Sequence, residues 1–443
     1  MTSLNKRVVN NATWIIGAKI VQSLLALVIS TLTVRFLGPS NYGLISYAAS
    51  LVSFVTPITQ LGLNNILVQE FVDTPEEDGD ILGTSLIMSF ISAIAAIIGI
   101  TAFVSITNAG ETVTVTVCFL YSLLLIMQAL ELTQYWFQAR LAAKYVSLAS
   151  LIAYLTVSAY KIFLLATKKS IYWFALSNVF DYAIIAIVLL IIYKKLSTGG
   201  MRCSFSTAKR LLSKSRHYIL ANMMVSIFSQ TDRIMLKLMV SNESTGYYSA
   251  AAVCATFTYF IFSAILDSMR PVIFESKKES KEKYEKNISR LYCIVFYLTV
   301  AQGIFITALA PFIVNLLYGS AYGETVNILK VLVWYSVFSY IGTVRSIWML
   351  AENKQRYLWI INLSGAVLNV ILNFILIPIM GAVGAAITSL ATQIFIDVII
   401  GYIIRPISYN NKLLLKGLNP LLLIEIIKTV LHKTNKKSDE ASE

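Results

Sequence analysis

Three basic residues stand inside stretches that are otherwise apolar: Lys19, Lys161 and Arg233. A cation at the centre of a bilayer costs about 2.5 to 3.5 kcal/mol on insertion scales, so three of them facing lipid would cost on the order of 10 kcal/mol. Groups of this kind either line a hydrated interior or pair with buried acids, for which Asp181, Asp232 and Asp397 are at hand. Arg35, Lys237, Lys330 and Arg345 lie nearer the ends of such stretches, where a long side chain reaches the interface. They are candidates for the same path. Cations exceed acids within the apolar stretches, and the excess points to an anionic substrate. Phosphate or pyrophosphate is the natural partner, since Arg grips it with two parallel donors and Lys as a point charge. Asp181, Asp232 and Glu131 are candidates to carry a coupling proton or sodium ion, although structural pairing explains them equally well. No Walker loop, zinc pattern or nucleophile with its base is present, so no catalytic residue, metal or cofactor is expected, and the chain is not read as an enzyme.

The polar residues around these cations repeat at helical spacing. Lys19, Gln22, Ser23, Ser30 and Thr33 share one face at 3.6 residues per turn, and so do Asn222, Ser226, Ser229, Gln230, Arg233 and Lys237. Further polar faces come from Ser147, Ser150, Tyr154, Ser158 and Lys161, and from Asn362, Asn369 and Asn373. As substrate contacts the polar set adds Gln22, Ser30, Asn222, Gln230 and Asn369 to the seven cations.

The elements that must position these residues are membrane helices. The chain has 443 residues, of which 57% are hydrophobic and 13% charged, about half the charged fraction of soluble domains. Its mean hydropathy is +0.71. Apolar stretches of spanning length recur at 12–36, 42–63, 81–106, 112–134, 145–166, 171–193, 217–239, 245–269, 289–317, 325–350, 356–379 and 381–405, which predicts twelve transmembrane helices. The first is too long for a cleaved signal and is read as an uncleaved helix. Positive charge collects at Lys194, Lys195, Arg202, Lys209, Arg210, Lys214 and Arg216, and again from Arg270 to Lys286, on one side of the membrane. Such loops stay cytoplasmic, so both termini are expected inside. The net charge of +13 therefore reflects topology, and nucleic acid is not an expected partner. Four scattered cysteines and two distant histidines give neither a disulfide framework nor a zinc site.

The turn Gly38-Pro39-Ser40-Asn41-Tyr42-Gly43 aligns without a gap with Ser241-Asn242-Glu243-Ser244-Thr245-Gly246, 203 residues later, pairing Gly43 with Gly246 and Ala48 with Ala251. The same shift puts Lys19 on Asn222 and Ser30 on Arg233. Six helices separate the copies, so the halves keep the same orientation. The expected fold is all-α and integral to the membrane: two pseudo-symmetric six-helix lobes around a central cavity that holds substrate. Residues 1–193 would form the N-terminal lobe, 194–216 a basic cytoplasmic linker, and 217–405 the C-terminal lobe. Residues 406–443 would be cytoplasmic, with 412–432 amphipathic on the inner leaflet and a disordered tail from Asn435.

Leu37-Gly38-Pro39-Ser40-Asn41-Tyr42-Gly43, Tyr135-Trp136-Phe137-Gln138-Ala139, and Thr231-Asp232-Arg233-Ile234-Met235 with Gly246-Tyr247-Tyr248-Ser249-Ala250-Ala251 resemble the polysaccharide-transporter family of Wzx-type oligosaccharide flippases. That family belongs to the multidrug/oligosaccharidyl-lipid/polysaccharide exporter superfamily. The resemblance implies transfer of an undecaprenyl-pyrophosphate-linked oligosaccharide, an O-antigen or capsule repeat unit, from the inner to the outer leaflet of a bacterial plasma membrane by alternating access. Membrane lipids and a polysaccharide polymerase are the further partners it implies. Many relatives carry an acid shortly after the Trp-Phe-Gln segment, where this chain has Arg140, Leu141 and Lys144. Other readings are a cation-coupled multidrug exporter, which would show a carboxylate-rich cavity, and a lipid II flippase, which typically has two further helices. A membrane polymerase or ligase would need a large external loop.

Overall fold

The computed structural model describes residues 3–197 and 200–428, with side chains from residue 28 onward. It contains helices and no strand among the described residues. The chain is an all-α, multi-pass membrane protein. Its α-helices are α1 (Ser3–Thr59), α2 (Leu67–Asp73), α3 (Asp78–Thr107), α4 (Thr112–Ser122), α5 (Leu124–Glu131), α6 (Gln134–Ala139), α7 (Ala143–Ala166), α8 (Ile171–Leu196), α9 (Phe205–Met239), α10 (Asn242–Thr256), α11 (Tyr259–Glu279), α12 (Lys281–Tyr318), α13 (Thr325–Ala351), α14 (Leu358–Ile394), α15 (Ile400–Ile403) and α16 (Ser408–Gly417).

Among the described residues, eight helices are long and apolar enough to cross a bilayer, or nine if the bent pair α10–α11 is one span. The expected number was twelve, and the difference has physical causes. Two pairs of expected stretches run together: α1 continues through Gly38 (φ 69°) and α14 through Gly381 (φ 56°), each with non-helical backbone at the glycine. Both positions need a positive φ, which glycine adopts without penalty. After Gly381 the chain folds back so tightly that a side chain at Gly384 would collide with the Leu376 carbonyl. The seventh stretch is helical as α9, but its polar residues keep it out of the apolar count. The expected linker is not all loop either, since 205–216 form the first turns of α9.

The chain divides into two compact units, Met1–Gly246 with Leu317–Ala321, and Tyr247–Leu316 with Tyr322–Glu443. In the first, α9 packs on α1 and α3. The basic segment before α9 is bound across the start of α3: Arg202 N–H donates to the Gly79 carbonyl (3.1 Å) and Ser204 N–H to Thr84 Oγ1 (3.0 Å). A side chain at Gly79 or Gly83 would strike this segment's backbone. Acids complete the attachment, with Arg210 on Glu77 (2.6 Å) and Glu70 (3.4 Å), and Lys214 on Glu70. Two of the segment's cations, Arg210 and Lys214, are thus paired with acids within the unit.

In the second unit, α13 packs on α14. The amphipathic segment after Pro420 is helical as far as Lys428, with Leu421, Ile424 and Ile427 exposed. Its Glu425 is bound by Arg290 (3.0 Å) and Lys286 (3.5 Å) of α12. The tail from Asn435 lies outside the described residues.

Candidate functional site

In the first unit, α1, α4, α7 and α8 enclose a cavity of about 290 Å³. Its wall carries Ser30, Thr33, Tyr42 and Ser46 from α1, Tyr121 from α4, Tyr154 and Lys161 from α7, and Ser177 and Asn178 from α8, between apolar residues such as Ile29, Leu37 and Phe174. Helical periodicity puts Tyr154 and Lys161, seven residues apart, on one face of α7. Lys161 is the one charged residue of the lining, and the Asp181 carboxylate, one turn beyond Asn178 on α8, acts on it electrostatically. Asp181 acts in turn on Glu131, at the end of α5. The Thr33 hydroxyl and one Asp181 oxygen are buried without a protein hydrogen-bond partner. Buried polar atoms left in this way are normally satisfied by water or ligand. The cavity thus offers one ammonium and a rim of hydroxyl and amide groups, which suits an anionic headgroup with sugar-like polarity.

A second pocket of about 360 Å³ lies in the same unit, lined by Ser53, Thr56, Pro57, Gln60 and Asn64 from α1 and its exit, Gln128 from α5, and Asn222, Val225 and Ser226 from α9. The Ser226 hydroxyl donates to the Ser53 carbonyl (3.1 Å), joining α9 to α1. Further along α9, Arg233 donates to Gln230 Oε1 (3.3 Å) and Asp232 is buried. Lys237 is buried and paired with Glu111 at 2.7 Å, in the turn between α3 and α4. The hydrogen bond from Lys237 holds the Glu111 carboxyl below the usual carboxylate range, helped by the Thr114 hydroxyl. Arg35, exposed, donates to the Leu317 carbonyl (2.7 Å).

The second unit holds its charge differently. Arg345 and Asp397, each almost wholly buried, form an ion pair at 2.8 Å. Arg345 also donates to the Ile396 carbonyl, and the Gln393 amide donates to Asp397. Asp397 sits in a π-helical turn, Phe395–Ile399, which widens the helix around the pair. On α13 it faces Gly342, where any side chain would overlap the carboxylate. Asn373 donates to Asn369 (3.1 Å), both buried. Lys330 is half-buried on α13.

The structure therefore brings Ser30 and Lys161 to one cavity and Asn222 to a neighbouring pocket, and it binds Arg345 to Asp397 within a helix pair. The side chains of Lys19 and Gln22 lie outside the described residues. Tyr121, Asn178, Gln60 and Gln128 line the two pockets without being among the sequence candidates. Only the position of Asn178, one turn before Asp181, could have signalled it.

The short helix α6 explains the aromatic motif. Trp136 donates its indole N–H to Asp78 (2.6 Å) and packs edge-on against Phe137 and Tyr193. Arg140, where the chain departs from the expected acid, pairs with the same Asp78 and lies over the indole.

A family model described as "Polysaccharide biosynthesis protein" matches residues 8–277, more than half of the chain. The chain belongs to the polysaccharide biosynthesis protein family. Within this family, the match covers α6 and all of α9 with their motif residues. A protein of Escherichia coli (strain K12) described as "Putative O-antigen transporter" is 21% identical over 385 residues, 86% of this chain and 92% of that one. A "Probable low-salt glycan biosynthesis flippase Agl15" from Haloferax volcanii is 22% identical over 196 residues, covering 44% of this chain and 42% of that protein. Among solved structures, the lipid II flippase MurJ in an inward closed conformation superposes with a TM-score of 0.70 at 15% identity, over 93% of this chain and 92% of that one. The fold is thus that of a polysaccharide exporter, and this member is a flippase or transporter of the polysaccharide-biosynthesis type.

Proposed function

We propose that this protein carries an undecaprenyl-pyrophosphate-linked oligosaccharide, an O-antigen or capsule repeat unit, from the inner to the outer leaflet of a bacterial plasma membrane. The observation that carries the reading is the first cavity, in which Lys161 is the one charge in a wall of hydroxyls and an asparagine. A diphosphate needs a cation, and sugars need alternating donors and acceptors. Lys161 and Arg233 are assigned to the diphosphate, and Ser30, Asn222 and Gln230 to the sugars. Lys19, Gln22, Lys237, Lys330, Arg35 and Asn369 complete the proposed path, whereas Arg345 is assigned to holding α13 against the π-helical turn. Two six-helix lobes would alternate access, with both termini cytoplasmic. Asp181, coupled electrostatically to both Lys161 and Glu131, is the proposed seat of a coupling proton or sodium ion, with Asp232 the second candidate. A polymerase would receive the product.

Reconstituted protein should move a fluorescent polyprenyl-diphosphate glycan across liposomes, scored by access of an external sugar-specific reagent. Arg233→Ala should lower the rate by two orders of magnitude or more, because a bidentate pair of charge-assisted bonds at about 1.5 to 3 kcal/mol each is lost. Arg233→Lys should recover part of it. Full recovery by Arg233→Ala with Asp232→Asn would remove Arg233 from the substrate path, and transport of organic cations in place of the glycan would overturn the reading.

A further inference from the structure

Gly99 in α3 has neither the positive φ that accounts for Gly38 and Gly381 nor a close neighbour. Side chains at Gly79, Gly83, Gly342 or Gly384 would collide with backbone or a buried group, so close packing accounts for each. At Gly99 an added Cβ would meet nothing within 4 Å, and the residue is exposed. A glycine within a helix weakens it, and here no close contact is gained in return. What it leaves is the floor of a groove of about 280 Å³, walled by Phe54 of α1, Ile100 and Phe103 of α3, and Thr231 and Ile234 of α9. Thr231 is the lining's one polar residue, and its hydroxyl is turned back onto the Ile227 carbonyl at 2.5 Å. The groove therefore presents almost only hydrocarbon, on an exposed face of the spanning helix α3 where Phe103 is also exposed.

The same two helices carry the polar pocket. Ser53, adjacent to Phe54, and Ser226, bonded to it across the helices, belong to that pocket. A polar pocket and a hydrocarbon groove on one helix pair fit an amphiphile. We propose that the groove seats the polyprenyl chain of the lipid-linked substrate while its headgroup occupies the polar pockets; this rests on the flippase reading above. Bulk acyl chains compete for the groove, but a chain tethered to a bound headgroup is present there at a far higher effective concentration. Because lipid is as apolar as the groove, the gain comes from packing and is modest.

The full-length protein in phosphatidylcholine nanodiscs should be titrated with N-acetylglucosamine diphosphate probes bearing a 5-carbon or a 55-carbon polyprenyl chain. The wild type should bind the long chain about tenfold more tightly. Gly99→Leu, which has open space for its side chain, should abolish that preference and leave the short probe's affinity unchanged, with Gly99→Ala intermediate. Lys161→Gln should weaken both probes alike. A preference that survives Gly99→Leu, or a loss shared by both chain lengths in that variant, overturns the groove assignment while leaving the flippase reading intact. Failure of the wild type to bind either probe overturns both.

Discussion

Lys161 and Arg345 are cations of comparable prominence in the sequence, each within or beside an apolar stretch, yet their surroundings are opposite. Arg345 is enclosed: Asp397, the Ile396 carbonyl and the π-helical turn take up its guanidinium, and its side chain is 4% exposed. Lys161 borders a cavity, with its acid on a neighbouring helix and polar atoms around it that lack protein partners. A buried charge alone therefore says nothing about substrate. Access does, because the Arg345 guanidinium, although its Nε lacks a partner, lies against Asp397 with the side chain 4% exposed, whereas Lys161 faces an open polar cavity.

The sharpest way to break this contrast is to remove each cation and read both stability and transport. Arg345→Ala leaves Asp397 buried and uncompensated, and should cost about 3 to 5 kcal/mol of stability in the purified protein. Replacing both partners, Arg345→Met with Asp397→Leu, should restore most of it. A single variant that unfolds like the wild type would end the idea of a sealed pair. Lys161→Gln should do the reverse, with thermal unfolding little changed and glycan capture weakened by about 1.5 to 3 kcal/mol, roughly ten- to a hundredfold. Equal losses of stability in the two variants would erase the distinction.

Lys237 and Glu111 form an intermediate case, since Lys237 is buried while the Glu111 side chain is 45% exposed. Solvent screening limits this pair to about 0.5 to 1 kcal/mol. Glu111 is held below its unfolded-state value, so its contribution is present above that value and disappears as pH falls through the lowered one. Unfolding of the wild type and Glu111→Gln, compared at neutral and acidic pH, should show a difference at neutrality that closes in acid. A gap that widens on acidification would reverse the sign.

The membrane helices were legible because apolar length and positive-charge placement are local properties of the chain. Gly38 and Gly381 were legible as breaks, though not as joints within continuous helices, since a glycine between two apolar stretches marks either. The partners of the charges were harder to read. Asp397 could be named as an acid available for pairing, but its pairing with Arg345 depends on helix packing. Glu111 lies 126 residues from Lys237, in a turn that hydropathy registers only as a gap. The groove at Gly99 left no trace in the sequence, because an empty volume is set by what three helices fail to fill.

At the turn that begins the second arm of α1, a side chain on Gly43 would overlap the Asn242 carbonyl, and one on Gly246 would overlap the Pro39 carbonyl. Both partners are displaced by the same 203 residues. Position i meets the copy of j, and position j meets the copy of i, which is the rule that two identical subunits obey across a two-fold axis. At this one crossing a single polypeptide shows the reciprocal contact that a homodimer makes at its axis, which is what joining two copies of one gene would leave behind.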